Sequence, residues 1–438
     1  MEYLPNIAFA LILILGIGYF VKNIKKLIRN IKLGKEFDAS GNKAQRWGNV
    51  LRIALGQSKM VKRPVSGFLH AIVYVGFVII NIEVLEIIID GLFGTHRIGS
   101  KILPTSVYGF LIGTFEVLAT LVLVSVIVFW VRRNVIKIKR FLSSEMTGWP
   151  KSDGNIILYF EVVLMCLFLV MNATDVTFQT ANSGNIISQF ISPWFEGLSV
   201  NTLHIIERTA WWIHIIGILI FLNYLYFSKH LHILLAFPNV YFGSVTPKGK
   251  VNNLEAVTAE VKLMMDPDAD PFAAQPEGAE DDTPAKFGAS DVMDLTQVQL
   301  LNAYTCTECG RCTSACPANL TGKKLSPRKI MMDTRDRLEE VGKNIDLNKG
   351  KFVDDGKQLL GDYITNEELW ACTTCNACVE ECPVSINPLS IILDMRRYLV
   401  MEQSAAPMEL NTMMTNIENN GAPWPYNQMD RLNWKDEK

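Results

Sequence analysis

Five mostly apolar stretches, at 4–22, 67–90, 107–131, 155–171 and 207–227, constrain this 438-residue chain more than any other feature. The hydrocarbon core of a bilayer takes about 20 apolar residues per helix, and each stretch is near that length. Hydrophobic residues make up 49% of the chain and charged ones only 20%, which argues against a wholly soluble enzyme. The first stretch has no basic segment before it and no small-residue cleavage site after it, so it reads as a retained helix rather than a signal peptide.

The loops predict an orientation, because Lys and Arg stay on the cytoplasmic side during insertion. The loop between the first two stretches is dense in them, from Lys22, Lys25, Lys26 and Arg29 to Lys59, Lys62 and Arg63, and Arg132, Arg133, Lys137, Lys139 and Arg140 follow the third. Residues 172–206 hold none, and residues 91–106 only Arg97 and Lys101. Five crossings then put the N-terminus outside and everything after residue 227 in the cytoplasm of an inner membrane. Topology signals and attraction to anionic head groups account for the basic first loop without a partner protein.

The predicted architecture is all-α: a five-helix transmembrane bundle at 1–237, an acidic tether at 238–293, and a small helical dicluster ferredoxin-like domain at 294–438. The tether carries Asp266, Asp268, Asp270, Glu277, Glu280, Asp281 and Asp282 among Pro, Ala and Gly, too polar for a core. In the last part, helical spacing is expected over 326–341 and 388–401.

Eight of nine cysteines stand in two runs, CTECGRCTSACP from Cys306 to Pro317 and CTTCNACVEECP from Cys372 to Pro383, each C-x2-C-x2-C-x3-C-P. Three thiolates spaced by two residues wrap one face of a cubane cluster, while the fourth is carried off to the other cluster. This spacing assigns one [4Fe–4S] cluster to Cys306, Cys309, Cys312 and Cys382, and a second to Cys372, Cys375, Cys378 and Cys316. Zinc needs only four cysteines in two C-x2-C pairs and has no reason to demand the proline. Cys166, in the fourth apolar stretch, reads as a small buried side chain. Clustered free thiols belong to a reducing compartment, in agreement with the loop charges.

Of six histidines, His70 begins the second apolar stretch and His232 ends the fifth, at matching depth. Two imidazoles on neighbouring helices can clamp a b-type haem, the alternative being two ordinary interfacial histidines. His214 precedes His232 by 18 residues, five whole turns of one continuous helix, which puts both on one face. A second haem would need a partner for His214 near residue 80, where the chain has Ile80. One haem is therefore expected, with His214 left as a quinone ligand or a bundle histidine. His230 would snorkel to the head groups with Lys229. Glu83, Glu86, Glu116 and Glu161 lie inside apolar stretches and are expected to face the bundle interior, Glu83 and Glu86 as proton carriers for a quinol.

The helical part, with His70, His214, His232 and the local sequences WWIHIIG and FSKHLH, resembles the cytochrome b (gamma) subunit of respiratory nitrate reductase and the membrane subunit of heterodisulfide reductase. That resemblance implies a haem between His70 and His232, with Ile80 standing where a fourth histidine would be expected. The cysteine runs, with GKKLSPRKIMMDTRD and NIENNGAPW, resemble the iron–sulfur subunit of heterodisulfide reductase and a membrane Fe–S oxidoreductase family in which both parts are fused. The family implies exchange of electrons between electron-transfer flavoprotein and menaquinone or another quinone. Family members often continue into a CCG-motif domain, so a separate partner subunit carrying one is expected.

The expected function is thus a quinone-reactive oxidoreductase subunit, passing electrons between a quinone pool and a cytoplasmic redox protein through two [4Fe–4S] clusters and one haem b. A haem-free anchor for an Fe–S domain and a redox-linked sensor or pump component are the alternatives. A net charge of −2 argues against nucleic acid as a partner, and no dinucleotide fingerprint or phosphate-cradling loop is present.

Overall fold

The computed structural model describes residues 3–247, 249–267 and 286–436. Among these the chain is helical, with no strand beyond two isolated bridges. Among the described residues, five helices are long and apolar enough to cross a membrane: α1 (Leu4–Ile31), α2 (Pro64–Phe93), α3 (Thr105–Asn134), α4 (Trp149–Thr174) and α5 (Val200–Leu225). Their ends are set by local chemistry. Pro64 opens α2 after an extended Arg63, and Gly94 closes it in the left-handed region (φ 69), as proline and glycine favour at opposite ends of a helix. The Ser199 hydroxyl caps α5 by accepting the Thr202 N–H at 3.1 Å.

Helices α2 to α5 pack in chain order, and α1 lies outside them against α2 and α5. Close approach of α2 to α3 requires Gly76, where a Cβ would stand 2.5 Å from Val122 Cγ2. Leu4, Ile7, Leu11, Ile14 and Leu15 of α1 stay exposed, a surface for lipid rather than water.

Beyond α5 come α6 (His232–Phe242), α7 (Glu255–Met265), α8 (Gln297–Thr305), α9 (Arg311–Ala315), α10 (Pro327–Leu347), α11 (Ala377–Glu381) and α12 (Pro388–Met401), with shorter turns between. A single buried cluster runs from Leu27 of α1, Ile157 of α4 and Leu225 of α5 to Ala303, Ile330, Val341 and Met395. The cysteine-bearing part is therefore fused onto one end of the bundle, not hung from it.

Three expectations change. The boundary at 237/238 falls inside α6, and Ala289 and Val292 are already wholly buried before residue 294. Within the acidic segment, α7 packs on α12 near Arg397 and Met401, while Asp268, Asp270, Glu277, Glu280, Asp281 and Asp282 lie outside the described residues. Basic residues of the first loop pair with the cysteine-bearing part: Lys26 and Arg29 with Asp346, Lys62 with Glu380 at 2.6 Å, and Arg63 with Glu381 at 2.9 Å. These side chains are half-exposed, so each pair contributes about 0–1 kcal/mol; the shared apolar core does more of the joining.

A further change concerns His232. Helix α5 stops at Leu225, and the chain turns through 226–231 before α6 starts, so His214 and His232 do not share a helix. Asp153 of α4 makes the break. It accepts from the Tyr224 hydroxyl at 2.7 Å and from the Lys229 N–H at 3.2 Å, while the Ser228 hydroxyl accepts the His230 N–H.

Candidate functional site

The two cysteine runs have one backbone shape. Glu308 and Gly310 in the first, and Thr374 and Asn376 at the equivalent places in the second, all take the left-handed conformation (φ 53, 71, 55 and 60). Side chains other than glycine seldom adopt it, so its repetition marks a chain held to wrap something. Each run then enters a five-residue helix, α9 or α11, carrying the third cysteine, and the fourth, Cys316 or Cys382, leaves it extended (ψ 118 and 122). The two short helices pack on each other, which carries each fourth cysteine toward the other run.

Cys306, Cys309, Cys312, Cys378 and Cys382 line one small cavity. Cys378 in turn faces Cys372, Cys316 and Cys375. None of the cysteines is in a disulfide. Burial pushes the Cys306 thiol up to about 12 and Cys382 up to about 11. Such thiols stay neutral and inert unless a metal takes their protons' place. Backbone N–H groups already point at the sulfurs, from Thr374 to Cys372 Sγ at 3.4 Å and from Ile386 to Cys382 Sγ at 3.3 Å. Donor type, count and amide orientation fit iron–sulfur clusters, which take up and release single electrons.

Around the first run lies a buried ion network that the sequence reading missed. Lys229, expected among the head groups, is only 8% exposed. Its Nζ lies 2.5 Å from Glu308 Oε2 and 3.7 Å from Asp153, and Arg335 reaches Glu308 Oε1 at 2.8 Å. Burial works to raise the Glu308 carboxyl, but Lys229 and Arg335 overcome it and hold it below the usual carboxylate range. The only local signal was a charged residue between two cysteines.

His70 and His232 come together from α2 and α6, ring centres 6.5 Å apart and planes inclined at 39°. With metal–imidazole bonds of about 2 Å on either side of an iron, two ring centres stand roughly 6 Å apart. The Nδ1 of His232 lies 3.1 Å from the Lys229 carbonyl, a contact that leaves Nε2 free to bind metal. The pair fits a haem iron. His230, expected with Lys229 among the head groups, instead has its ring 5.3 Å from that of His232. His214 is buried deeper in the bundle beside Phe168, 6.2 Å between ring centres, and Ile80 is buried as well.

At the bundle's far end two of the four carboxylates of the apolar stretches, Glu116 and Glu86, fasten loops. Glu116 accepts the Ile187 and Ser188 N–H groups at 2.7 and 3.0 Å and the Asn172 amide at 3.0 Å. Glu86 accepts the Gly99 N–H at 2.8 Å and the Tyr108 hydroxyl at 3.2 Å. Glu83 is 3% exposed, and its Oε2 has no partner among the described residues. Glu161 is half-buried in α4.

A family model described as a 4Fe-4S dicluster domain matches residues 305–386, the span holding both runs. A Bacillus subtilis protein named probable iron-sulfur-binding oxidoreductase FadF is 29% identical over 98% of this chain and 61% of its own length. The EtfAB:quinone oxidoreductase of Syntrophomonas wolfei is 26% identical over 98% of this chain and 59% of its own. A probable membrane-anchored ferredoxin of Chromohalobacter salexigens is 34% identical over 35% of this chain and 25% of its own. The chain thus spans about three fifths of the length of the first two relatives. No solved structure matches it. Both cysteine runs thus lie inside the span that matches a 4Fe-4S dicluster domain, and along nearly its whole length the chain is similar to proteins named as iron–sulfur or quinone oxidoreductases.

Proposed function

We propose that this chain is a membrane-bound electron-transfer subunit that links a quinone pool to a cytoplasmic redox partner through two [4Fe–4S] clusters and one haem b. Cys306, Cys309, Cys312 and Cys382 hold one cluster, Cys372, Cys375, Cys378 and Cys316 the other, and His70 and His232 the haem iron. The observation that carries the reading is the adjacency of the two kinds of site. Arg311, inside the first cysteine run, donates to the Lys59 carbonyl at 3.2 Å and to Met60 Sδ at 3.3 Å, just ahead of the helix that bears His70. The cofactors then stand in series from the cysteine-bearing part into the bundle. Likeness to the nitrate reductase gamma subunit supports the haem, and His214 is left as a bundle histidine or a quinone contact.

The Syntrophomonas relative's name couples electron-transfer flavoprotein to quinone. That favours electron-transfer flavoprotein as the soluble partner, with a CCG-domain subunit as the other candidate, and menaquinone or another quinone as the lipid-soluble one. Basic loops at the bundle end that carries the cysteines support a cytoplasmic Fe–S part and an outward N-terminus. The test is iron, acid-labile sulfide and pyridine haemochrome per chain, followed by quinol addition. About eight cluster irons are expected, with one haem that quinol reduces. Full clusters without a haem band would leave only the anchor reading; a haem indifferent to quinol would remove the quinone.

A further inference from the structure

We propose that Arg311 is a counter-charge shared by the first cluster and the haem, a positioning residue that holds an electron on both by one guanidinium. This rests on the function proposed above.

Arg311 is 3% exposed, and an arginine keeps its charge in a protein interior. A buried charge is costly unless it is paired. Yet none of the ion pairs among the described residues includes Arg311, and its two side-chain hydrogen bonds go to an uncharged carbonyl and a thioether. Nearby carboxylates are engaged elsewhere: Glu381 with Arg63 at 2.9 Å, Glu308 with Lys229 and Arg335. Arg328 is the useful comparison. It lines the same cysteine cavity as Arg311, but Glu145 neutralises it at 2.7 Å.

The missing anions are supplied by what the sites hold. A cubane with four thiolates is negative and gains a further unit on reduction, and Arg311 borders the cavity of Cys306, Cys309, Cys312 and Cys382. On its other side the guanidinium is held by the Lys59 carbonyl and Met60 Sδ, just ahead of the helix that bears His70, and a haem b brings two carboxylate side chains. The second run has Ala377 where the first has Arg311. Because the two runs share one backbone shape, this charge distinguishes their surroundings.

The test is a pair of redox titrations, optical for the haem and EPR for the cubanes, on intact purified protein with Arg311→Gln, Arg311→Met or Arg311→Lys. In both neutral variants the haem and one of the two cubane signals should each become at least tenfold harder to reduce, about 59 mV for a one-electron couple. The other cubane should move less than twofold, and Arg311→Lys should stay within threefold of wild type for all three. Uptake of both groups by Arg311→Lys but by neither neutral variant counts for the proposal in the same sense. A shift in one group only, equal shifts in both cubanes, or no shift overturns it. Wild-type protein with no haem band defeats the reading underneath instead, and the haemochrome of the same sample tells the two failures apart.

Discussion

Lys229→Met tests what closes the joint between the bundle and the cysteine-bearing part. In the wild type the ammonium sits between Glu308 at 2.5 Å and Asp153 at 3.7 Å, with both carboxylates almost wholly buried. Removing one partner of a buried pair costs about 3–5 kcal/mol, because the other charge is left stranded. Here the stranding is partial. Glu308 keeps Arg335 at 2.8 Å, and Asp153 keeps the Tyr224 hydroxyl at 2.7 Å, so the expected cost falls below that range, at about 2–3 kcal/mol. Read by amide hydrogen exchange in detergent, this is roughly a 30- to 150-fold acceleration across 302–316, with no change at the Glu116 end of the bundle. Adding Glu308→Gln should recover part of the loss, since the stranded carboxylate is then neutral. Exchange within threefold of wild type in the single variant would refute the argument, and the joint would then rest on apolar contact alone.

Raising salt from low to about 0.5 M should leave the two parts joined, with exchange at 302–316 changed less than about threefold, because the screened pairs of Asp346, Glu380 and Glu381 each contribute little. Acid should act differently. Burial opposes ionisation of Glu308 but Lys229 and Arg335 outweigh it, so its folded pKa lies below the unfolded value of about 4.3. The stabilisation is therefore complete above that unfolded value and is lost as pH falls through the folded one. Protection at 302–316 should be flat from pH 7 to 5 and fall only below about pH 4. His70→Ala and His232→Ala should each abolish the pyridine haemochrome, whereas His214→Ala should retain it; loss of haem in the third variant alone would move the ligand deeper into the bundle.

What the sequence discloses, and what it hides, divides by the range of the forces involved. The five spans are legible because hydropathy is a local property, and α12 appears at 388–401 as expected because Asn387 caps it and Pro388 opens it within one turn. The cysteine spacing is equally local, and its duplicated backbone follows from duplicated residues. The break after Leu225 is not legible. Residues 226–231 suit a helix as well as their neighbours do, and the turn exists because Asp153, 76 residues earlier, captures the Lys229 N–H. The same lysine obeys a sound local rule, that cations at the end of a span seek head groups, until Glu308 arrives from 79 residues further on. Each misplacement thus has one cause, a partner distant in sequence that changed the surroundings of an ordinary residue. The basic first loop shows the same thing in reverse: charges that explain insertion by themselves also meet Asp346, Glu380 and Glu381 once the chain has folded. The lysines and arginines that the loop-charge rule reads as a topology signal are therefore also the ones that receive the cysteine-bearing part.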